Sequence, residues 1–334
     1  MEQQEPVKIK QPPVLFSKSQ RYIKEIARLL DYPMISYWTS GGAICHNDVV
    51  VLYEIMTKLG KQEKLYLLVK SGGGNGQAAL RLVSLLRQYC DQLIAMVPLE
   101  CASAATLIAL GANEILMGPL AYLTAVDTSL THDLSPLDRE NDRVSVSLDE
   151  LTRVIRLWRS EQTDSRENPY KALFQHVHPL VIGAVDRAES LSIMLCKALL
   201  SYHIKDEATA DTIANTLNSR YPSHSYPILF EEARTIGLKA SPLPPEVNTV
   251  LLDLSEIYSE MGQDAVTDLS EIRHHDNSIV TIWEGPDIQI YHQKNRDWFY
   301  RTEERRWIIL NDDSKWCRLE RENGRTRKSS LHIN

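Results

Sequence analysis

The chain has 334 residues, 43% hydrophobic and 24% charged, with 14 Gly and 15 Pro, a globular composition that excludes a disulfide miniprotein, a collagen-like fibre and a disordered chain. Net charge is −7, yet residues 294–334 hold eleven Lys and Arg against seven Asp and Glu, so a surface built wholly for nucleic acid is excluded while the basic tail needs its own explanation. No run approaches the roughly 20 apolar residues of a membrane span, the start MEQQEPVKIKQPP lacks a signal peptide's apolar core, and five cysteines without a CxxC pair fit a reducing cytoplasm.

Residues 1–18, with Pro6, Pro12 and Pro13, are expected to form an extended arm, followed by an amphipathic helix over 21–30. Strands are then predicted at 35–38, 65–69, 93–97 and 114–117, alternating with helices at 46–59, 77–89 and 104–110. This is βαβ spacing. It predicts a largely parallel sheet covered by helices, with ligands near the carboxyl ends of the strands. Residues 131–148, polar and holding Pro136, are expected to be a surface loop, and helical periodicity returns at 148–159, 185–201, 206–218 and 230–236, the last closed by Gly237. Beyond residue 260 short aromatic strands are predicted at 279–283, 288–292, 298–301, 307–310 and 316–319, where four of the six Trp lie.

Two segments carry the chemistry. Lys70-Ser71-Gly72-Gly73-Gly74-Asn75-Gly76 follows a strand, and its glycines let the backbone turn sharply with N–H groups free for an anion or a developing oxyanion. About 30 residues on, Val97-Pro98-Leu99-Glu100-Cys101-Ala102-Ser103-Ala104-Ala105 places a serine at a strand-to-helix junction among residues too small to hide it. Adjacent parallel strands would deliver both to one crevice.

In this order the two segments resemble the Clp/crotonase-fold serine peptidases. The resemblance narrows to the serine dehydrogenase proteinase family, related to signal peptide peptidase A, through Val97-Pro98, Ser103-Ala104, the Thr106–Leu110 run, Ala112-Asn113-Glu114-Ile115-Leu116-Met117-Gly118-Pro119, His178-Pro179-Leu180, Ser223-His224-Ser225-Tyr226-Pro227-Ile228 and Gly237-Leu238. It spans roughly residues 30–250. It implies a Clp/crotonase-like α/β fold with a helical extension for a serine hydrolase domain (31–260), while the residue pattern outside it adds an arm and helix (1–30) and a small, basic, Trp-rich C-terminal β appendage (279–334). It also implies Ser103 as nucleophile, an oxyanion hole from Gly73, Gly74 and Ala104, no metal or cofactor, peptide or unfolded-protein substrates, and a homo-oligomer in the cytoplasm.

The chain departs from the family at Thr124-Ala125-Val126-Asp127-Thr128, where relatives read Gly-Pro-Ile-Asp-Pro, and it has no Lys between Lys70 and Lys171. Arg153, Arg156 and Arg159 cannot serve as a base, because guanidinium does not deprotonate at working pH. Lys171 and His178 are the base candidates carried forward, with His224, and His132 for a Clp-type arrangement, beside them; Glu100 or Asp127 would orient a histidine. An inactive scaffold binding a protein or nucleic-acid partner is the alternative function, and an acyl-thioester enzyme of the crotonase type a third. Cys101 as a thiol nucleophile, a metal site at His274-His275-Asp276, and single-strand binding through Trp298, Trp307 and Trp316 are weaker readings. Nucleic acid and membrane insertion are not expected.

Overall fold

A computed structural model describes residues 7–127, 129–139, 142–161 and 168–333. The first half runs α1 (Phe16–Leu30), β1 (Met34–Thr39), α2 (Asn47–Leu59), β2 (Gln62–Lys70), α3 (Gly76–Tyr89), β3 (Cys90–Val97), β4 (Glu100–Cys101), α4 (Ala104–Leu110), β5 (Glu114–Met117), β6 (Tyr122–Leu123), β7 (Ser129–Leu130) and β8 (Val146–Ser147). Then come α5 (Leu148–Glu161), α6 (Pro169–Leu173), α7 (Pro179–Leu200), α8 (Glu207–Ser219), α9 (Phe230–Ile236), β9 (Ala240–Pro242) and α10 (Pro245–Met261). The chain closes with β10 (Ala265–Ser270), β11 (Arg273–Gly285), β12 (Ile288–Arg301), β13 (Arg306–Asp312), β14 (Lys315–Glu322) and β15 (Arg325–Leu331).

The fold is α/β, as the alternation predicts. Strands β1, β2, β3, β5 and β9 pair in parallel in that order. Both faces of these strands are covered, and side-chain alternation sorts the residues between two cores. Ile35, Tyr37, Leu65, Leu67, Val69, Ala95 and Val97 point into one core with α2, α3, α4 and α7. Met34, Trp38, Leu68 and Met96 point into the other, under α1 and α10. Helix α10 escapes the sequence reading, although Val247, Leu251, Leu254, Tyr258 and Met261 recur at helical spacing and are all buried.

The C-terminal strands are not a separate sheet. β11 pairs antiparallel with β1, matching Ser36 to Glu284 and Thr39 to Thr281, so that β10 to β15 extend the central sheet. The strands also begin earlier than the expected 279, since β10 and β11 start at Ala265 and Arg273. Aromatic residues mark only the middle of these long strands, and their polar ends pair by backbone hydrogen bonds that side-chain pattern does not reveal. Among the described residues, no helix is long and apolar enough to cross a membrane.

Candidate active site

Strands β2 and β3 end side by side, and the chain leaves each in a loop at the same edge of the sheet. Beyond β2, Gly73 and Gly74 take φ of 108° and 143°, values an L side chain rarely adopts. A Cβ on Gly73 would lie 2.7 Å from the Ser103 Cβ, and one on Gly74 would lie 2.4 Å from the Ile44 amide nitrogen. The glycines therefore let the turn press against the serine loop. Ile44 N–H donates to the Gly73 carbonyl (2.9 Å) and Asn75 N–H to the Ile44 carbonyl (2.8 Å), which turns the Gly74 amide out of that pairing. Asn75 then caps α3, accepting from Ala78 N–H at 2.9 Å.

Ser103 precedes α4 with φ 53° and ψ −119°, a conformation costly for a residue with a Cβ. Two threonines hold it there. Ser103 N–H donates to Thr124 Oγ1 (2.8 Å), Thr124 N–H to Thr106 Oγ1 (3.2 Å), and Thr106 Oγ1 to the Cys101 carbonyl (2.8 Å). The Ser103 hydroxyl makes no capping hydrogen bond, so its side chain is free for other work. Neither threonine stands out in the sequence; Thr124 occupies a position where the resembled family carries glycine, and that departure is its only signal.

The segment that buttresses Ser103 continues to Asp127. It is pinned by Val126 N–H to the Leu217 carbonyl (3.0 Å), by Ser192 Oγ to the Val126 carbonyl (2.8 Å), and by an antiparallel bridge between Leu123 and Ile228. That bridge delivers the turn before Ile228, and His224 Nδ1 donates to Asp127 Oδ1 at 2.8 Å. This hydrogen bond favours the imidazolium and raises the His224 pKa above its ordinary 6.5, partly offset by desolvation.

Ser103, Ala104, Gly74, Asp127 and His224 line one cleft of about 410 Å³. Its far wall is α7, which contributes Ala188, Leu191, Ser192 and Leu195 from a single helical face. Among the described residues, the Gly74 and Ala104 N–H groups donate no hydrogen bond within the protein. Gly73 N–H, expected in the oxyanion hole, instead donates to Ser71 Oγ at 3.2 Å, itself bonded by Thr39 Oγ1 at 3.0 Å.

The other base candidates lie elsewhere. Lys171 is exposed on α6. His178 is the N-cap of α7, whose Nδ1 accepts from Leu180 N–H at 3.2 Å, with Pro179 opening the helix behind it. His132 Nδ1 accepts from Leu134 N–H at 3.0 Å within its loop. None of the three lines the cleft. Cys101 is fully buried, and desolvation pushes its thiol far above the ordinary value, which removes it as a nucleophile. Glu100 accepts from Tyr122 OH at 3.1 Å and pairs with Lys70 at 3.8 Å, and among the described residues no histidine bonds to it.

No family model matches the chain. No curated protein matches it either. Among solved structures, similarity is found to a serine-to-alanine variant of the 1510-N membrane-bound stomatin-specific protease, at 17% identity and TM-score 0.39, covering 68% of this chain and 84% of that one. A lysine-to-alanine variant of the same protease in complex with a substrate peptide gives 16% identity and TM-score 0.38, covering 69% and 79%. Likeness at this level assigns neither family nor activity to this chain.

Proposed function

We propose that the chain is a serine peptidase of the Clp/crotonase type, cleaving peptide bonds of unfolded protein through an acyl-enzyme on Ser103. The observation that carries this reading is a single cleft lined by a strained, uncapped serine, two unpaired backbone amides and a His–Asp pair. His224, with Nδ1 committed to Asp127, keeps Nε2 for the Ser103 proton. The Ser103 oxygen then attacks the carbonyl carbon, and the Gly74 and Ala104 amides hold the oxyanion. His224 returns the proton to the leaving amine, and a water activated by the same nitrogen releases the acyl group. The base is thus assigned to His224, which the sequence leaves among four candidates. The Lys171 and His178 roles are set aside, since neither residue borders the cleft.

A fluorophosphonate probe with casein as substrate tests the proposal. Ser103 is expected to be the labelled residue, and Ser103→Ala to abolish both labelling and cleavage with the melting temperature nearly unchanged. Absence of labelling in the parent chain would return the inactive-scaffold alternative.

A further inference from the structure

The basic C-terminal segment takes no part in the cleft chemistry, so its charges require another account. Most of them are neutralised in place: Lys294 pairs with Asp276, Arg296 with Asp312, Arg301 and Arg306 with Glu304, Arg318 with Glu54 and Arg321 with Asp287. Of the five basic residues of this segment without an ion pair among the described residues, Lys315 and Lys328 share a cavity, of about 330 Å³.

The register explains how that cavity arises. Asn277 pairs with Asn295, Gln293 with Lys315, and Cys317 with Ser330, so four neighbouring strands present these side chains on the same face. Two residues further along each strand that face is apolar, with Ile279, Tyr291 and Leu319 in the core under α1 and α10. Where the helices stop covering the sheet, the face becomes amide, hydroxyl and ammonium. The N-terminal arm closes this patch, since Gln11 lines the cavity and Lys10 N–H donates to Thr267 Oγ1 at 2.9 Å.

The donors there are unspent. Asn277 is only 4% exposed and its Oδ1 accepts from Gln293 Nε2 at 2.7 Å, but its own amino group donates to no described residue. Among the described residues, the Asn295 side chain makes no hydrogen bond and no carboxylate lines the cavity. The Asn277 amino group faces that space beside two exposed ammonium groups without a carboxylate partner among the described residues, Lys328 lying over the Tyr291 ring at 5.8 Å, and together they set the charge of what would fill it. Divergent point donors from Lys and Asn suit a tetrahedral dianion better than a planar carboxylate, which favours the Arg fork. The volume sits at the lower end of the about 300–1,000 Å³ usual for small-molecule sites and exceeds the needs of a bare inorganic ion.

We propose that this cavity, walled by the arm and floored by β11, β12, β14 and β15, binds a small phosphate monoester, with Lys315, Lys328 and Asn277 holding the phosphate. The site lies across the sheet from β5 and β9 and is independent of the peptidase reading. Calorimetric titration of the full chain with glycerol 3-phosphate at fixed ionic strength tests it, with glycerol, inorganic phosphate and chloride as comparisons. Saturable binding of glycerol 3-phosphate, competition by inorganic phosphate and no response to glycerol are expected. Lys315→Ala and Lys328→Ala should each weaken binding about tenfold or more at an unchanged melting temperature, and Lys205→Ala should leave it as it is. Asn277→Asp, which keeps the shape but adds a charge, should abolish it. No saturable heat in the parent, or parent-like affinity in both lysine variants, overturns the proposal, whether or not the Asn277 variant folds.

Discussion

At Ser103 the backbone is held in a conformation that a residue with a Cβ adopts only when its surroundings insist, and the insistence comes from hydroxyls: Thr124 takes the serine N–H and Thr106 takes the Thr124 N–H. The same stretch of chain ends in Asp127, so nucleophile and base are set from one segment. Since Asp127 raises the His224 pKa, the base is protonated, and therefore inactive, to a higher pH than a free histidine would be. Activity should fall as pH drops through that raised value. Asp127→Asn should move the acid limb of kcat/KM to lower pH and cut the plateau by about 10² to 10⁴-fold, as should loss of His224 for the plateau alone. Lys171→Ala and His178→Ala should leave the pH profile in place, and a limb unmoved by Asp127→Asn would remove the triad.

Among the elements, α1, α10, β11 and β12 meet around Glu284, a fully buried carboxylate. It accepts from Ser19 Oγ (2.7 Å), Gln20 Nε2 (2.6 Å), Tyr258 OH (2.9 Å) and Gln289 Nε2 (2.5 Å). Four donors favour the charged form, yet desolvation outweighs them and pushes the pKa up from 4.5 to about 7. The folded state therefore keeps a proton that the unfolded chain releases. The group's stabilising contribution is complete below pH 4.5 and is lost as pH rises to about 7. Over that window the loss amounts to about 3 kcal/mol. Urea unfolding of the parent and of Glu284→Gln at pH 5 and pH 8 should show this slope in the parent only, whatever the variant's absolute stability. Parallel slopes would mean that Glu284 ionises freely in the fold.

The whole molecule is organised on one sheet whose parallel half carries the cleft and whose antiparallel half seals β1. Trp283, Ile282, Ile290 and Tyr291 are fully buried, Trp283 stacks on Tyr37 with ring centroids 4.1 Å apart, and its Nε1 donates to Asp48 Oδ1 at 2.9 Å. A chain ending at Met261 would expose the β1 edge and both cores beside it. It should aggregate or unfold and lose labelling at Ser103, although every residue of the cleft is retained. Sedimentation and circular dichroism of the truncated chain check this, and a soluble, cooperatively folding product would make the C-terminal strands an independent module.

Local pattern alone was enough for the α/β class, the alternation of four helices and four strands up to residue 117, and the pairing of a glycine turn with Ser103, because these rest on periodicity and on residue types that only a few backbone conformations accept. It could name Asp127 and His224 as candidates but not join them. Their 97-residue separation is closed by the Leu123–Ile228 bridge, and the sequence pattern carries no distance of that kind. His178 and His224 are indistinguishable as residue types; one caps a helix and the other meets a carboxylate, a difference made wholly by packing. Likewise the aromatic strands after residue 260 were legible as strands, while their attachment to β1 was decided by backbone hydrogen bonds between Ser36–Thr39 and Thr281–Glu284 that depend on tertiary placement. The cavity at Asn277, Lys315 and Lys328 belongs to the same class, since residues from three strands share a face only once the register is fixed.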